Sequence, residues 1–546
     1  MDRKMLSREG GQNQGAGVTS CFNRLRMSRR LLPIGIQSFR TIREQDFHYV
    51  DKTPLIRRLV DEGRNYFLSR PRRFGKSLLL DTIRSLFECN EELFRGLDIH
   101  GHWDWSAPHP VVRLSFDGKY NEPRDLELSI LTQLDVIERN AGLSRTSCRT
   151  GPERLLDLLD RLHHATGRQV AVLVDEYDKP ILDVPHDPEL ATANRDYLHG
   201  FYGIIKGSAE HVRFTFVTGV SMFSKASLFS GLNNLRDISL DPRYATVCGY
   251  TEDDLNRVFG PELDGLDREE VRTWYKGYHW RGGERVYNPC DVLLLLRNRE
   301  FRPYWFETGS PTFLFRMLME RSVGPMELEN RMADMSLVSK FDVNDIGIEA
   351  LLFQTGYLTI AEERKEGFRT YCRLDYPNLE VRVSLNDELL AYLGKKGKEP
   401  LDQGRAFCAL LEANDFEGFA ERLRSYLSGI PYQWHATGDL ARYEAWYASL
   451  LHMCFRAIGV EVHAEDASSH GRADMVVLTG GQVFVLEFKM ADGEGDADAA
   501  LDAALAQMRE RGYADKCRGQ GAPVHLLAVA CGREARNLLE IRAEAA

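Results

Sequence analysis

Signatures of several common protein classes are missing from this chain of 546 residues. Its ten cysteines form no C-x-x-C pair and no cysteine–histidine cluster at zinc spacing, which excludes a disulfide framework and a structural zinc centre. The longest apolar runs, such as Val292 to Leu296, fall far short of the roughly 20 residues of a membrane-spanning helix. No apolar signal core follows the N-terminus. We therefore expect a soluble, cytoplasmic protein with reduced thiols and no membrane partner.

An excess of positive charge is also missing. The chain has 70 Lys and Arg against 81 Asp and Glu, a formal net charge of -11. This balance excludes a protein that coats nucleic acid by bulk electrostatics, so any such contact would depend on local basic patches. The hydrophobic content of 43% is enough to fill several cores, and at about 100–200 residues per domain the length predicts about three or four domains.

The hydrophobic pattern divides the chain into a tail and three modules. Residues 1–30 are polar and aperiodic and predict a disordered tail. Residues 31–248 alternate short β-rich runs with helical stretches, which predicts a parallel sheet with helices on both faces. Residues 249–395 are rich in aromatic side chains and predict a mixed, α-rich module, helical or winged. The polar stretch 393–404 predicts a linker, and residues 405–546 predict a separate α/β domain.

The stretch "FLSRPRRFGKSLLLDT" is a variant of a phosphate-binding loop. Such loops are usually written G-x-x-x-x-G-K-[ST], and here Arg70 occupies the position of the first glycine. The apolar run before the loop predicts a strand, and the leucine-rich run after it predicts a helix whose N-terminus faces the bound anion. Gly75 permits close approach of the backbone, Lys76 is expected to reach the phosphates of ATP, and Ser77 is expected to hold Mg²⁺.

Three further loop residues belong to the predicted nucleotide site. Arg72 and Arg73 have guanidinium groups that match phosphate geometry. Phe74 lies between them and the Gly-Lys-Ser segment. The alternative is that the loop arginines are solvated surface charges.

An acidic strand end supplies the second half of a nucleotide site. In "QVAVLVDEYDKP", five of the six residues 170–175 are apolar, which predicts a buried strand that neighbours the loop strand. Asp175 is expected to hold Mg²⁺ and Glu176 to act as the base, because ligands of parallel sheets bind at the carboxyl ends of strands. Thr218 ends another buried strand and could sense the γ-phosphate. The alternative is that Asp175 and Glu176 only cap a strand.

A second constellation lies in "GRADMVVLTGGQVFVLEFKM". Two strands joined through a Gly-Gly turn place Glu487 and Lys489 on one face, since side chains two apart in a strand share a face. Asp474 begins the partner strand. Asp474 and Glu487 form a hard-oxygen site for Mg²⁺, and Lys489 could position or deprotonate the attacking water. The alternative is a simple ion pair on an exposed strand face.

Several of these stretches resemble known families. The loop "RPRRFGKSLLLDT", the strand "VAVLVDEYDKPI" and "FSGLNNLRDISLD" are similar to the AAA-ATPase-like family of prokaryotic proteins, in which the loop is typically RPRRFGKS. "WYKGYHW" and "LLFQTGYLTI" resemble the middle segment of the same proteins. The resemblance implies a P-loop NTPase fold and nucleotide binding by Lys76, Ser77 and Asp175.

The C-terminal segment resembles the PD-(D/E)XK nuclease superfamily. An Asp, a gap of 12 residues and then E-x-K on an apolar strand match its pattern, with Ala473 in place of the usual proline. The resemblance implies a restriction-endonuclease-like fold, a catalytic role for Glu444 as the additional helical acid, and a role for Gln507 in a Q-x5-Y pattern that ends at Tyr513.

Together these observations predict an α/β multidomain protein in which an ATP-binding, ATP-hydrolysing domain controls a Mg²⁺-dependent nuclease-like domain. The expected partner is nucleic acid, DNA ahead of RNA, and the sequence allows a homo-oligomer. The alternative is a nucleotide-switched binding protein whose nuclease fold binds nucleic acid or another partner without cleaving it.

Overall fold

The computed structural model describes most of the chain. The described residues are 30–184, 187–222, 234–305, 331–338, 347–392, 399–429, 444–468, 471–513 and 521–546, with residues 314, 317, 318 and 328. The predicted tail up to residue 29 and the first part of the predicted linker, residues 393–398, lie outside the described residues. None of the described helices is long and apolar enough to cross a membrane.

A five-stranded sheet forms the first part of the chain, as predicted. Its strands are β1 (Asn65–Ser69), β2 (Val111–Ser115), β3 (Val170–Asp175), β4 (Val212–Gly219) and β5 (Arg236–Asp237). Their order in the sheet is β2-β3-β4-β1-β5, and all neighbouring pairs are parallel. The carboxyl ends of all five strands therefore meet at one edge, where the ligands of parallel sheets bind.

Helices cover both faces of this sheet. Helix Lys76–Phe87 packs on β2 and β3. Helix Pro123–Asn140 packs on β2, helix Gly151–Thr166 packs on β3, and these two helices pack on one another. All six residues of β3 are buried, as expected for a strand between two helical layers. The helices of this part are Phe39–Glu44, Thr53–Glu62, Lys76–Phe87, Pro123–Asn140, Gly151–Thr166, Lys179–Leu182 and Pro188–Gly207.

One prediction about this sheet is wrong. The acidic strand β3 is not a neighbour of the loop strand β1, because β4 pairs with both and lies between them. β4 carries Thr218 at its carboxyl end. The side chain of Thr218 therefore stands between the phosphate-binding loop and the acidic strand end.

The middle part is mixed and α-rich, as predicted. Two short strands, β6 (Lys276–Tyr278) and β7 (Val286–Tyr287), form a small antiparallel pair. A second antiparallel sheet has the order β8-β10-β9. Its strands are β8 (Arg331–Asp334), β9 (Thr359–Glu366) and β10 (Arg369–Asp375), and the helices of this part are Glu252–Phe259, Arg268–Tyr275, Pro289–Asn298, Met335–Val338, Ile348–Thr355 and Leu379–Tyr392.

The C-terminal part is a mixed sheet packed against helices. The five strands are adjacent in chain order, and β13 and β14 form its parallel pair, joined through helix Ala497–Glu510. The strands are β11 (Glu461–Ser468), β12 (Gly471–Thr479), β13 (Gln482–Ala491), β14 (Val524–Gly532) and β15 (Asn537–Ala545), and the helices are Glu399–Glu412, Phe416–Ser428, Glu444–Ala457 and Ala497–Glu510. This arrangement has the α/β restriction-endonuclease-like character that was expected.

The predicted linker is wrong in its second half. Residues from 399 onward form helix Glu399–Glu412, which packs against helix Glu444–Ala457. Phe407 and Leu411 lie four residues apart on that helix and are fully buried. These apolar residues override the polar composition of the preceding stretch, because most helical stability in proteins comes from packing of an apolar face.

Candidate functional site

The loop after β1 has the geometry of an anion-binding turn. Gly75 has φ +91° and precedes the first residue of helix Lys76–Phe87, so the free N–H groups of the first helical turn face the loop. The Lys76 ammonium is buried and donates to the carbonyl oxygens of Arg70 and Pro71, each at 2.9 Å. Burial lowers the pKa of Lys76, and the negative charge of Asp175 acts in the opposite direction. The lysine therefore sits at the centre of the loop, with an acidic strand end close by.

The acidic strand end is ordered by neighbours on two strands. Asp175 is buried, and its Oδ1 accepts a hydrogen bond of 2.9 Å from the hydroxyl of Thr218. The guanidinium of Arg113 is 3.9 Å from Asp175 Oδ2. The Thr218 hydroxyl is thus engaged with the carboxylate, which is the arrangement of a group that orients Asp175. The predicted sensing of a γ-phosphate by Thr218 stays a prediction.

Glu176 has an unusual backbone conformation for a residue with a side chain. Its φ is +52°, a left-handed conformation that is uncommon outside glycine and concentrates at functional sites. Burial raises the pKa of Glu176, and the nearby Lys76 charge lowers it. A raised pKa brings a carboxylate closer to the range in which a general base works at neutral pH.

Arg70 does not face solvent or the centre of the loop. It is fully buried, and its Nη1 donates to the carbonyl oxygens of Ser69 at 2.8 Å and Ser239 at 2.9 Å. Its Nη2 donates to Tyr244 at 3.3 Å, and its guanidinium carbon lies 4.1 Å from the centre of the Trp280 ring. The alternative reading of a solvated loop charge is therefore wrong for Arg70.

The other predicted loop residues point in different directions. The Phe74 ring packs edge-on against Tyr278 and Trp280, at centroid distances of 4.7 and 5.2 Å. Phosphate contact by Phe74 would therefore come from its backbone. Arg72 is 68% exposed, with its guanidinium 3.9 Å from Asp183.

Arg73 extends into the middle part of the chain. Its Nη1 lies 3.4 Å from the Tyr304 carbonyl oxygen and 3.7 Å from Cys290 Sγ. The phosphate contacts predicted for Arg72 and Arg73 stay predictions, and the structure gives Arg73 other partners.

Asp178 is a residue that the sequence reading missed. It is buried and accepts hydrogen bonds from the backbone N–H groups of Val220 at 3.0 Å and Ser221 at 2.5 Å, and from the Ser221 hydroxyl at 2.5 Å. It ties the chain after β4 to the acidic strand end. The only sequence signal was its place as the third acid in "DEYD".

The second constellation forms one compact carboxylate centre. Glu487 is almost fully buried on β13, and its Oε1 accepts hydrogen bonds from Lys489 Nζ at 3.1 Å and from the Gln507 amide. Asp474 Oδ2 accepts from the N–H of Phe488 at 2.8 Å, and the Asp474 N–H lies 3.4 Å from Glu487 Oε2. Residues from two strands and a helix thus converge on Glu487.

Glu444 reaches the same centre from a second helix. It is the first residue of Glu444–Ala457, its Oε1 accepts from the N–H of Met490 at 3.3 Å, and its Oε2 is 3.7 Å from Lys489 Nζ. Tyr513 is 3.4 Å from the Gln507 amide nitrogen. The structure therefore brings together every residue predicted for this site.

The charges of this centre are strongly coupled. Burial, with the negative charge of Asp474, raises the pKa of Glu487 to about 7. Burial opposes the charge on Lys489, but Glu487 and Glu444 outweigh it and raise the pKa of Lys489. Lys489 therefore stays protonated at neutral pH. Of the two roles predicted for it, this favours positioning over deprotonation of a water molecule.

The donor atoms fit a hard divalent cation. Asp474 and Glu487 present carboxylate oxygens whose mutual repulsion a cation would relieve. In the described part of the chain no three His, Cys, Asp or Glu side chains form a metal-holding group. Mg²⁺ commonly binds through one or two carboxylates and several water molecules, so two carboxylates suffice.

His463 and His470 lie near Asp474 in the sequence and are further candidates for a metal or phosphate contact. His463 lies on the edge strand β11, half exposed, with its Nε2 3.0 Å from Glu461 Oε1. His470 lies outside the described residues.

Two family models match the chain where the two sites lie. A model described as "Predicted AAA-ATPase" matches residues 33–229, and a model of the PD-(D/E)XK nuclease superfamily matches residues 442–541. An uncharacterized protein in the vnfD 5' region of Azotobacter chroococcum mcd 1 is 51% identical over 516 residues, covering 94% of this chain and 98% of that protein. The chain belongs to the family of AAA-ATPase-like proteins with a C-terminal PD-(D/E)XK nuclease superfamily domain.

One solved structure has a low structural similarity to this chain. The Orc1 protein of Aeropyrum pernix in complex with DNA has a TM-score of 0.26 and 15% sequence identity, over 63% of this chain and 93% of that chain. The strand order of the two five-stranded sheets and the two family models show the fold of this family member.

The raised pKa of Glu487 predicts a pH-dependent stability effect. Its pKa is about 7 in the folded chain against about 4.3 in an unfolded chain, so the folded state loses stability as the pH rises through this window. Glu487→Gln removes that loss. The difference in melting temperature between the variant and the wild type should therefore become more positive from pH 5 to pH 8. Each kcal/mol of unfolding free energy changes the melting temperature by roughly 2–4 °C. Thermal melts without divalent cations measure it.

The control for this measurement is Glu534→Gln, since Glu534 is exposed. Its melting temperature should follow that of the wild type at both pH values. A difference between Glu487→Gln and the wild type that stays constant from pH 5 to pH 8 would contradict the raised pKa.

Proposed function

We propose that this protein binds and hydrolyses ATP, and that its C-terminal domain cleaves nucleic acid, DNA ahead of RNA, in a Mg²⁺-dependent reaction. The observation that carries the proposal is the convergence of Glu444, Asp474, Lys489 and Gln507 around the buried Glu487. A simple surface ion pair between Glu487 and Lys489 would need none of the other three side chains, Glu444, Asp474 and Gln507. The pairing of the two family domains supports the same proposal.

In the nucleotide half, the chain would bind the triphosphate through the loop. The N–H groups at the start of helix Lys76–Phe87 would face the phosphates, and Lys76 would exchange its two loop carbonyls for phosphate oxygens. Ser77 and Asp175 would hold Mg²⁺, with Thr218 fixing the carboxylate of Asp175. Glu176 would accept a proton from the attacking water.

In the nuclease half, Asp474 and Glu487 would hold Mg²⁺. The bound ion would polarise the phosphodiester and lower the pKa of a water molecule. Glu487 would lose its proton to water when it holds the ion, Gln507 would keep its hydrogen bond to Oε1, and Lys489 would place its positive charge beside the reacting phosphate. Glu444 keeps Lys489 protonated and oriented.

The nucleotide half predicts two different variant phenotypes. Lys76→Ala should abolish measurable ATP binding in a calorimetric titration, because it removes the one ammonium at the centre of the loop. Glu176→Gln should keep ATP affinity while hydrolysis falls by about 10²–10⁴-fold, the usual contribution of a general base. Unchanged ATP affinity in Lys76→Ala would overturn this half of the proposal.

The nuclease half is tested with DNA and RNA substrates in the presence of Mg²⁺. Glu487→Ala and Lys489→Gln should each lower the cleavage rate at least about 10²-fold, since both remove a group that would hold or stabilise reacting charge. Glu510→Gln is the matched control, because Glu510 lies exposed on the helix that carries Gln507. Cleavage that survives Glu487→Ala would show that the activity belongs to another site.

A second candidate function is nucleotide-switched binding without cleavage. It is favoured by the pairing of basic side chains on the helix that carries Gln507 and on β15, which packs against that helix: Arg509 pairs with Glu544, and Arg542 pairs with Asp498 and Asp502. These guanidinium groups are partly neutralised, so the surface suits a protein partner as well as a phosphate backbone. Retained binding of DNA without cleavage in the wild type would support this function. A homo-oligomer, which could supply an arginine from a second copy, stays a prediction.

A further inference from the structure

A buried pair of carboxyl groups lies in the middle part of the chain, outside both proposed sites. Asp291, on helix Pro289–Asn298, and Glu380, on helix Leu379–Tyr392, are each fully buried. Glu380 Oε1 accepts hydrogen bonds from the backbone N–H groups of Tyr304 at 2.6 Å and Trp305 at 2.9 Å. The remaining oxygens of both carboxyl groups have no donor among the described residues.

The two carboxyl groups lie close enough for the negative charge of Glu380 to raise the pKa of Asp291. A buried carboxyl group without a donor favours its neutral form, since burial disfavours the charged form. Burial raises the pKa of Asp291 and raises that of Glu380 to about 7. Ionisation of one group therefore disfavours ionisation of the other, and the pair behaves as a unit. The other groups that face it are the Cys290 thiol, the phenols of Tyr275 and Tyr278, and the guanidinium of Arg73.

Arg73 is the positive group that faces this pair, and it comes from the phosphate-binding loop. Its charge favours the ionised form of both carboxyl groups. Tyr304 links them directly, because its carbonyl oxygen faces Arg73 Nη1 while its N–H donates to Glu380. The φ of Arg73 is +67°, a left-handed conformation that is disfavoured for a residue with a side chain. The contacts of its side chain hold the loop in this conformation.

The loop is held against the middle part at a second point. Gly356 has φ +89°, and a Cβ there would lie 2.7 Å from Pro71 Cγ and 3.4 Å from the Trp305 ring. Pro71 thus fits against a backbone position where a side chain has no room. Pro71 therefore lies against Gly356, and Arg73 contacts Tyr304, whose chain neighbour Trp305 lies beside the same glycine.

Helix Leu379–Tyr392 connects this segment with the carboxylate centre. Glu380 is its second residue, and the helix packs against helix Glu444–Ala457. The first residue of that second helix is Glu444, which touches Lys489 and Met490 in the carboxylate centre. A contiguous chain of contacts thus runs from the phosphate-binding loop to the nuclease-like site.

We propose that Arg73 and the Asp291–Glu380 pair are positioning residues that couple anion binding in the loop to helix Leu379–Tyr392 and, through it, to Glu444. This inference rests on the proposed function, since it needs a nucleotide in the loop and a working carboxylate centre. Triphosphate bound beside Arg73 competes with the acid pair for the guanidinium. The weakened interaction between Arg73 and the acid pair changes the first turn of helix Leu379–Tyr392, because Glu380 lies there.

The test is hydrogen–deuterium exchange on the full chain with Mg²⁺, with and without a non-hydrolysable ATP analogue. In the wild type the analogue should slow exchange in residues 76–87 and change it in residues 379–392 and 444–457. Arg73→Gln and Glu380→Gln should keep the effect in residues 76–87 and lose it in the other two helices. Affinity for the analogue should fall about tenfold in Arg73→Gln, within the range typical of coupled sites.

Two further variants separate coupling from simple packing. Arg297→Gln is the matched control, because Arg297 is exposed on the helix that carries Asp291 and lies in neither proposed site, and it should behave as the wild type. Arg73→Lys keeps the positive charge and should restore part of the change in residues 379–392. If Arg73→Gln loses its cooperative thermal transition, Glu380→Gln, which keeps the side-chain shape, carries the test.

The outcomes separate this inference from the proposed function. Slowed exchange in residues 76–87 of the wild type without any change in residues 379–392 overturns the coupling and leaves ATP binding intact. A change in residues 379–392 that persists in both Arg73→Gln and Glu380→Gln also overturns the coupling. No effect of the analogue on residues 76–87 of the wild type overturns ATP binding and the coupling together.

Discussion

The buried guanidinium of Arg70 determines how the phosphate-binding loop is built. A cation that leaves water needs partners for its donors. Nη1 and Nη2 of Arg70 find them in the carbonyl oxygens of Ser69, Ser239 and Tyr244, and the guanidinium lies over the face of Trp280. Burial lowers the pKa of Arg70 to about 10, so it stays charged at neutral pH. One side chain thereby joins the end of β1, the chain after β5 and the middle part of the protein.

This attachment explains a phosphate-binding loop without its first glycine. The loop begins at a residue whose side chain turns away from the anion, and the neighbouring Pro71 and Phe74 also face the middle part. Gly75, the last residue before the helix, keeps the positive φ that favours a residue without a side chain. The order of the loop thus depends on the middle part, so the nucleotide site and that part of the chain form one structural unit.

The sequence predicted those parts of the two sites that depend on local spacing. Glu487 and Lys489 share a face because they are two apart in a strand, and Lys76 begins a helix because it follows a glycine and precedes an apolar run. The hydrogen bonds of the Arg70 and Arg73 side chains to the middle of the chain could not be predicted, since these partners lie about 170 to 230 residues further along. The position of β4 between β1 and β3 and the helix in the predicted linker were missed for the same reason: pairing and packing between distant segments decided them.

Both sites place a carboxylate beside a lysine in a buried environment, with opposite results for the lysine. Burial dominates at Lys76 and lowers its pKa, whereas two carboxylates dominate at Lys489 and raise its pKa. Lys76 is suited to exchange its carbonyl partners for phosphate oxygens. Lys489 is suited to remain a fixed positive charge next to the acid pair Asp474 and Glu487. The two lysines differ because Lys76 is buried with carbonyl oxygens as its hydrogen-bond partners, whereas Lys489 is partly exposed and donates to a carboxylate.

The most direct measurement of this account is the ATP affinity and melting temperature of Arg70→Gly, beside Arg72→Gly as the exposed control. Arg70→Gly restores the first glycine of the general loop pattern. The account predicts that it nevertheless weakens ATP binding and lowers the melting temperature, because three carbonyl oxygens lose their donor at roughly 1–3 kcal/mol for each unsatisfied group. Arg72→Gly should change both quantities less. Equal or tighter ATP binding with an unchanged melting temperature in Arg70→Gly would contradict the account.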